Sequence, residues 1–259
     1  MRFAATFALI AGAAFAGSSP DPSPTQIDDI IAKFAAKEAE FARVRGNYTY
    51  RQTVKIHELD DNGSIMGKHE MVSEIVFTPE GKRIERVTYA PVSTLHLILT
   101  AQDEQDLRDV QPFVLTTAEI PNYFIRYLGR EQLDEISTFS FAVKPKKLEQ
   151  GKRYFEGVIW VDDKDLQIVK TYGRGIGLLK KNEDQQFPKF ETYREQIDGK
   201  YWFPTYTIAN DTLNFKDSSQ RIRETVKYEN YKQFKSDVVI KYSDVEDPAK
   251  TPPPPPKKQ

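Results

Sequence analysis

The chain contains no cysteine, so it has no disulfide framework, no thiolate nucleophile and no thiolate metal ligand. It also lacks the cysteine to which a bacterial lipoprotein attaches its lipid. Histidine occurs three times, at His57, His69 and His96, and no two stand at metal-ligand spacing. An excess of one charge is missing as well. The 37 Lys and Arg against 38 Asp and Glu leave a net charge of −1, which excludes the basic face that nucleic acid demands. No apolar run reaches the roughly 20 residues needed to span a bilayer. Catalytic signatures are equally scarce, with no Gly-x-Ser-x-Gly elbow and no nucleophile–base set. The reading is therefore of a protein that is not an enzyme and uses neither cofactor nor metal.

Two local patterns echo known sites and fail on spacing. Gly173-Arg-Gly-Ile-Gly177 is misspaced for a dinucleotide loop and leads into Lys180-Lys-Asn-Glu-Asp184, so it reads as a turn. Asp162, Asp163 and Asp165 lack the glycine and downstream glutamate of a calcium loop, and read as turn acids.

The N-terminus is the clearest positive signal. Arg2, an apolar stretch over residues 3–15 and Ala14-Phe-Ala16 form a secretory leader with a small-x-small cleavage site. Its loss removes one positive charge and places the protein in the periplasm without a lipid anchor. The expected organisation is a leader at 1–16, a Pro- and Ser-rich disordered linker at 17–24, one domain at 25–236 and a Pro-rich disordered tail at 237–259.

Within the domain, Thr25 is expected to cap a helix whose apolar positions include Ile27, Ile30, Ile31, Phe34, Phe41 and Val44, ending at Arg45-Gly46. From Asn47 the period changes to two: Tyr48, Tyr50, Val54 and Ile56 alternate with polar residues, and Asp60-Asp-Asn-Gly63 and Pro79-Glu-Gly81 mark turns. Residues 91–119 break the rhythm, Leu95, Leu97, Ile98, Leu99, Leu107 and Val110 pointing to one or two short helices. Strands resume after Pro121. Asp198-Gly199, which tolerates positive φ, is the strongest hairpin signal among them. The fold class is mainly β with flanking helices (α+β), one curved antiparallel sheet with an N-terminal helix and a helical insertion.

Tyr154-Phe-Glu-Gly-Val-Ile-Trp-Val-Asp162, Leu166-Gln-Ile-Val169, Phe187-Pro-Lys-Phe-Glu-Thr-Tyr-Arg194 and Tyr201-Trp-Phe-Pro-Thr-Tyr206 follow the long first helix. With that helix and the exported N-terminus, these strands resemble an uncharacterised bacterial subgroup of the outer-membrane lipoprotein-sorting (LolA-like) family, over most of the mature chain. The resemblance implies an unclosed β-barrel with helices as a lid over an apolar groove that holds acyl chains. It also implies relatives that bind other envelope lipids or dock on envelope proteins. The expected role is a soluble periplasmic carrier of a lipid or lipoprotein acyl chain, in transient contact with membranes. The alternative is a sensor or interaction module that docks protein partners.

Aromatics in strands are either core or groove lining, and alternation alone does not separate the two. The expected groove residues are Ile75, Phe77, Phe139, Phe141, Trp160 and Tyr228. Each methylene of a ligand buried there is worth about 0.8 kcal/mol, so an acyl chain needs no polar contact to bind. The leader itself is directly testable: N-terminal sequencing of the exported protein should begin at Gly17, within a residue or two, and Met1 there would exclude cleavage.

Overall fold

The computed structural model describes residues 21–78, 82–179 and 186–234. The leader, residues 17–20 of the expected linker, the Pro79-Glu-Gly81 turn and the tail at 237–259 lie outside them. The first helix, α1, spans Pro24–Arg45 and so starts one residue before the expected cap at Thr25. Ser23 is the cap instead: its Oγ accepts from the Gln26 N–H, and Gln26 Oε1 accepts from the Ser23 N–H at 2.8 Å. This is a capping box, with Pro24 in the first turn where a missing N–H is harmless. Asp21, in the expected linker, accepts a hydrogen bond from the Tyr127 hydroxyl at 2.8 Å.

Among the described residues ten strands follow: β1 (Tyr48–Leu59), β2 (Ile65–Phe77), β3 (Arg83–Tyr89), β4 (Tyr123–Leu133), β5 (Ile136–Pro145), β6 (Arg153–Asp162), β7 (Ile168–Gly177), β8 (Phe190–Ile197), β9 (Tyr201–Asn214) and β10 (Ser219–Gln233). They form one antiparallel sheet in the order β3-β2-β1-β10-β9-β8-β7-β6-β5-β4, which does not close. All neighbours are consecutive in sequence except β1 and β10, paired from Tyr48↔Gln233 to Leu59↔Arg221. Asp198 and Gly199 turn the β8–β9 hairpin with φ of 56° and 67°, the geometry expected of Asp-Gly.

Alternation divides each strand between a covered face and an open one. On β1 and β10, Tyr50, Val54, Ile56, Ile222, Val226 and Tyr228 are buried on the covered face. The open face carries cross-strand ion pairs, Arg51–Glu74 at 3.2 Å and Lys55–Glu70 at 2.9 Å. Helix α1 lies on the covered face, Phe34 against Phe141 (ring centroids 5.5 Å apart) and Phe41 against Phe203 (5.0 Å). Gly173-Arg-Gly-Ile-Gly177 belongs to β7 and is not the turn expected of it. Its glycines make room on the covered face: a Cβ on Gly173 would lie 2.7 Å from the ring of Phe155 on the neighbouring β6, and one on Gly175 2.0 Å from a carboxylate oxygen of Asp106 in the covering segment.

One buried ion pair fastens α1 to the sheet. Arg194 Nη1 on β8 donates to both Glu38 oxygens at 3.2 Å, and the Ile168 N–H donates to Glu38 Oε1 at 3.1 Å. Arg194 Nη2 donates to the Phe113 carbonyl, and its guanidinium lies 5.1 Å from the Phe41 ring centroid. Both side chains are fully buried. Burial pushes the Glu38 carboxyl up and the Arg194 guanidinium down, the loss of water outweighing the attraction between them. Such a pair adds little net stability, yet removing one partner strands the other.

Phe34→Ala should therefore lower unfolding free energy by about 3–5 kcal/mol, through lost burial and a residual cavity, as read by denaturant titration. Glu38→Leu or Arg194→Met alone should each cost about 3–5 kcal/mol, and the double variant less than the sum. Strict additivity across that cycle would show that the pair is not coupled.

Candidate functional site

β3 and β4 are consecutive in the chain but occupy opposite edges of the sheet. The intervening segment must therefore run from one edge of the sheet to the other. It does so on the covered face, burying Val110, Phe113 and Leu115 and packing Leu95, Leu99 and Leu107 over Tyr50, Val54 and Ile75. The short helices expected here are α2 (Ala101–Gln105), capped by Thr100, and a π-helical turn at Asp106–Val110.

Buried polar contacts pin the crossing at two places. Near its start, Glu58 on β1 accepts from the backbone N–H groups of His96 (2.9 Å) and Leu97 (2.6 Å), and its other oxygen lies 2.8 Å from His96 Nδ1. Burial alone would raise the Glu58 carboxyl, but these hydrogen bonds hold it below the usual range. The neighbouring Thr94 N–H donates to the Lys68 carbonyl at 2.9 Å. Further along, Arg153 grips Asp106 through two bonds of 2.8 and 2.6 Å, and Thr192 Oγ1 donates to the Gln111 carbonyl at 2.9 Å. Gln111 Nε2 donates to Glu224 Oε1 on β10.

Around these pins the segment rests on the sheet through Leu95, Leu99 and Leu107, and a cavity lies on each side of Leu99 and Leu107. One, of about 380 Å³, is walled by Ile56, Leu95, Leu97, Leu213, Phe215 and Ile222, with Glu224 and Asp103 as its acids. The other, of about 320 Å³, lies over Val54, Met71 and Val87 and has a more polar rim of His69, Arg83, Glu85 and Arg108. A third, of about 460 Å³, is larger but charged, with Lys146, Lys147, Lys152 and Glu149 at its walls. A depression of about 560 Å³ across β4, β5 and β6, lined by Phe124, Ala142 and Val158, is larger than these three; among the three, the apolar walls that small-ligand sites share favour the first. Glu224 is only 6% exposed, and burial lifts its carboxyl to about 7 against the Gln111 hydrogen bond, Asp103 and Asp106 adding to the rise.

The six expected groove residues are not brought together. Phe139 and Phe141 sit in the filled core beneath α1, because Phe34 occupies the space there. Ile75 and Tyr228 are buried in a second cluster, against which Phe77 packs; none of these three lines either cavity beside Leu99 and Leu107, and Tyr228 borders instead a separate depression with Tyr206 and Tyr231. Trp160 is on the open face: it pairs with Ser140 and Lys170, its Nε1 donates to Glu131 at 2.8 Å, and Lys170 Nζ lies 5.1 Å from its ring. Ile159 and Val161 take the covered face instead. The turn acids find protein partners: Asp162 Oδ1 accepts from the Lys164 and Asp165 N–H groups, and Asp163 pairs with Arg130 at 3.1 Å.

The insertion covers the cavities, as expected of a lid, though its wall residues were not among the six; the walls that sequence reasoning missed altogether are at the far ends of β9 and β10. One signal for them was present: Glu224 stands at an inward position between Ile222 and Val226, where an acid is out of place.

No protein-family model matches the chain, and no curated protein matches its sequence. Among solved structures it is similar to a LolA superfamily protein from Nitrosomonas europaea, at 13% identity over 79% of this chain and 94% of that one, with a TM-score of 0.37. It is similar also to a DUF1329 family protein from Desulfovibrio piger (16% identity, 81% and 94% covered, TM-score 0.41). A third is MucB (13% identity, 80% and 94% covered, TM-score 0.28). The first of these carries the name of the family that the sequence resembles.

Proposed function

We propose that this protein is a periplasmic carrier or binding protein that holds a lipid or lipoprotein acyl chain against the covered face of its sheet. The observation that carries the reading is the pair of cavities flanking Leu99 and Leu107 under a segment pinned at Glu58 and Asp106. Both lie within the roughly 300–1,000 Å³ typical of small-ligand sites. The span between the pins makes few polar contacts with the sheet and exposes Ile98 to solvent at 86%. It is the part that can lift to admit a chain while the pins hold. Among the described residues no helix is long and apolar enough to cross a membrane, in keeping with a chain that moves between membranes.

The sensor reading keeps one supporting observation. The unpaired edges expose Ile84 and Tyr89 on β3 and Phe124 and Leu128 on β4, apolar edge positions on which a partner strand can dock. The two readings separate experimentally. Delipidated protein should take up the uncharged probe N-phenyl-1-naphthylamine with a rise in fluorescence, and a medium-chain monoacylglycerol should displace it. Leu99→Glu should abolish uptake with circular dichroism unchanged, whereas Arg51→Gln on the open face should leave it intact. A folded, delipidated wild-type protein that takes up no probe overturns the carrier reading in favour of docking.

A further inference from the structure

The cavity beside β10 has a chemical polarity of its own. Most of its wall is aliphatic, and the described residues that line it include no Lys or Arg. Its charged or titratable members are Glu224, Asp103 and His96. His96 is committed to Glu58, and Asp106 behind the wall is committed to Arg153. The Tyr228 hydroxyl, on the same strand face, sits 3.5 Å from Thr207 Oγ1. Glu224 is different. It is nine-tenths buried, and among the described residues Gln111 is its one hydrogen-bond donor, using Oε1. A carboxylate offers about four acceptor sites, so most of its capacity is unused.

A buried carboxylate without a cation is costly, and a like charge brought beside it costs more. A ligand head that donates hydrogen bonds or carries positive charge relieves that cost. We propose that this cavity takes an amphiphile whose chain lies among Leu95, Leu97, Leu107 and Leu213 and whose head donates to Glu224, with ammonium and hydroxyl heads accepted and anionic heads refused. This rests on the binding reading above and adds the head group that the site selects. Burial raises the Glu224 carboxyl to about 7, so the selection has a pH dependence. The carboxylate, and with it the preference for a cation, is present above that value and is lost as pH falls below it.

The test displaces N-phenyl-1-naphthylamine with dodecylamine, dodecanol and dodecanoate, which share one chain. At about pH 8.5 the amine and the alcohol should compete, and dodecanoate should be weaker than the amine by about tenfold or more. At about pH 5.5 that gap should narrow in the wild-type protein, a comparison that needs no variant. Glu224→Gln should strengthen dodecanoate, weaken the amine and flatten the pH dependence. If dodecanoate competes as well as the amine at the higher pH, or if Glu224→Gln leaves their ratio unchanged, the head-group inference is overturned and the carrier reading stands. If the probe itself does not enter, both fall together.

Discussion

The two edges of the sheet are adjacent in the chain, and everything of interest follows from the need to join them. Because β3 and β4 lie at opposite ends of a ten-stranded sheet, the chain between them must cross one face. That crossing, with α1, keeps the apolar side of the sheet out of water without a second sheet. It also divides the covered face in two. Under α1 the interior is filled by Phe34, Phe41, Phe141 and Phe203. Beyond the helix only a thin segment covers the sheet, and a thin cover cannot fill the space to core density. The cavities lie there.

The crossing is secured by charge and not by apolar packing alone. Glu58, Asp106 and Glu38 are buried acids, each engaged by backbone N–H groups, an arginine, or both. Buried charges make poor stabilisers but strict positioners, since a slipped register leaves each uncompensated. Close approach requires small residues opposite, and Gly67 and Gly175 supply it: a Cβ on either would fall within 2.4 Å of an oxygen of Glu58 or Asp106. Glu224 departs from this pattern. Among the described residues it has no arginine and Gln111 is its one hydrogen-bond donor, and it faces an apolar cavity.

Much of this architecture was legible in the sequence. The change from a period near 3.6 to a period of two placed α1 and the first strands, and Asp198-Gly199 located its hairpin because few other pairs accept two positive φ values. Which face is covered was not legible, since alternation gives the relative phase of side chains and not their surroundings. Trp160 shows the limit: it is flanked by Ile159 and Val161, so both faces of β6 look apolar, and it lies opposite the face assigned to it. The Glu38–Arg194 pair spans 156 residues and joins a helix to a strand, so no local pattern announces it. The glycines of β7 looked like a turn because their causes lie outside the motif, the Phe155 ring on the paired strand and the Asp106 carboxylate in the covering segment.

The central claim is that the face beneath the crossing segment, and not the core under α1 or the open face, receives an apolar chain. Photolabelling with an uncharged alkyl diazirine, followed by peptide mapping, tests that location most directly. The account predicts label on residues 95–107 of the crossing segment and on residues 213–224 of β9 and β10. Label confined to the strands around Phe139, to the Trp160 face or to the β4 edge would contradict it.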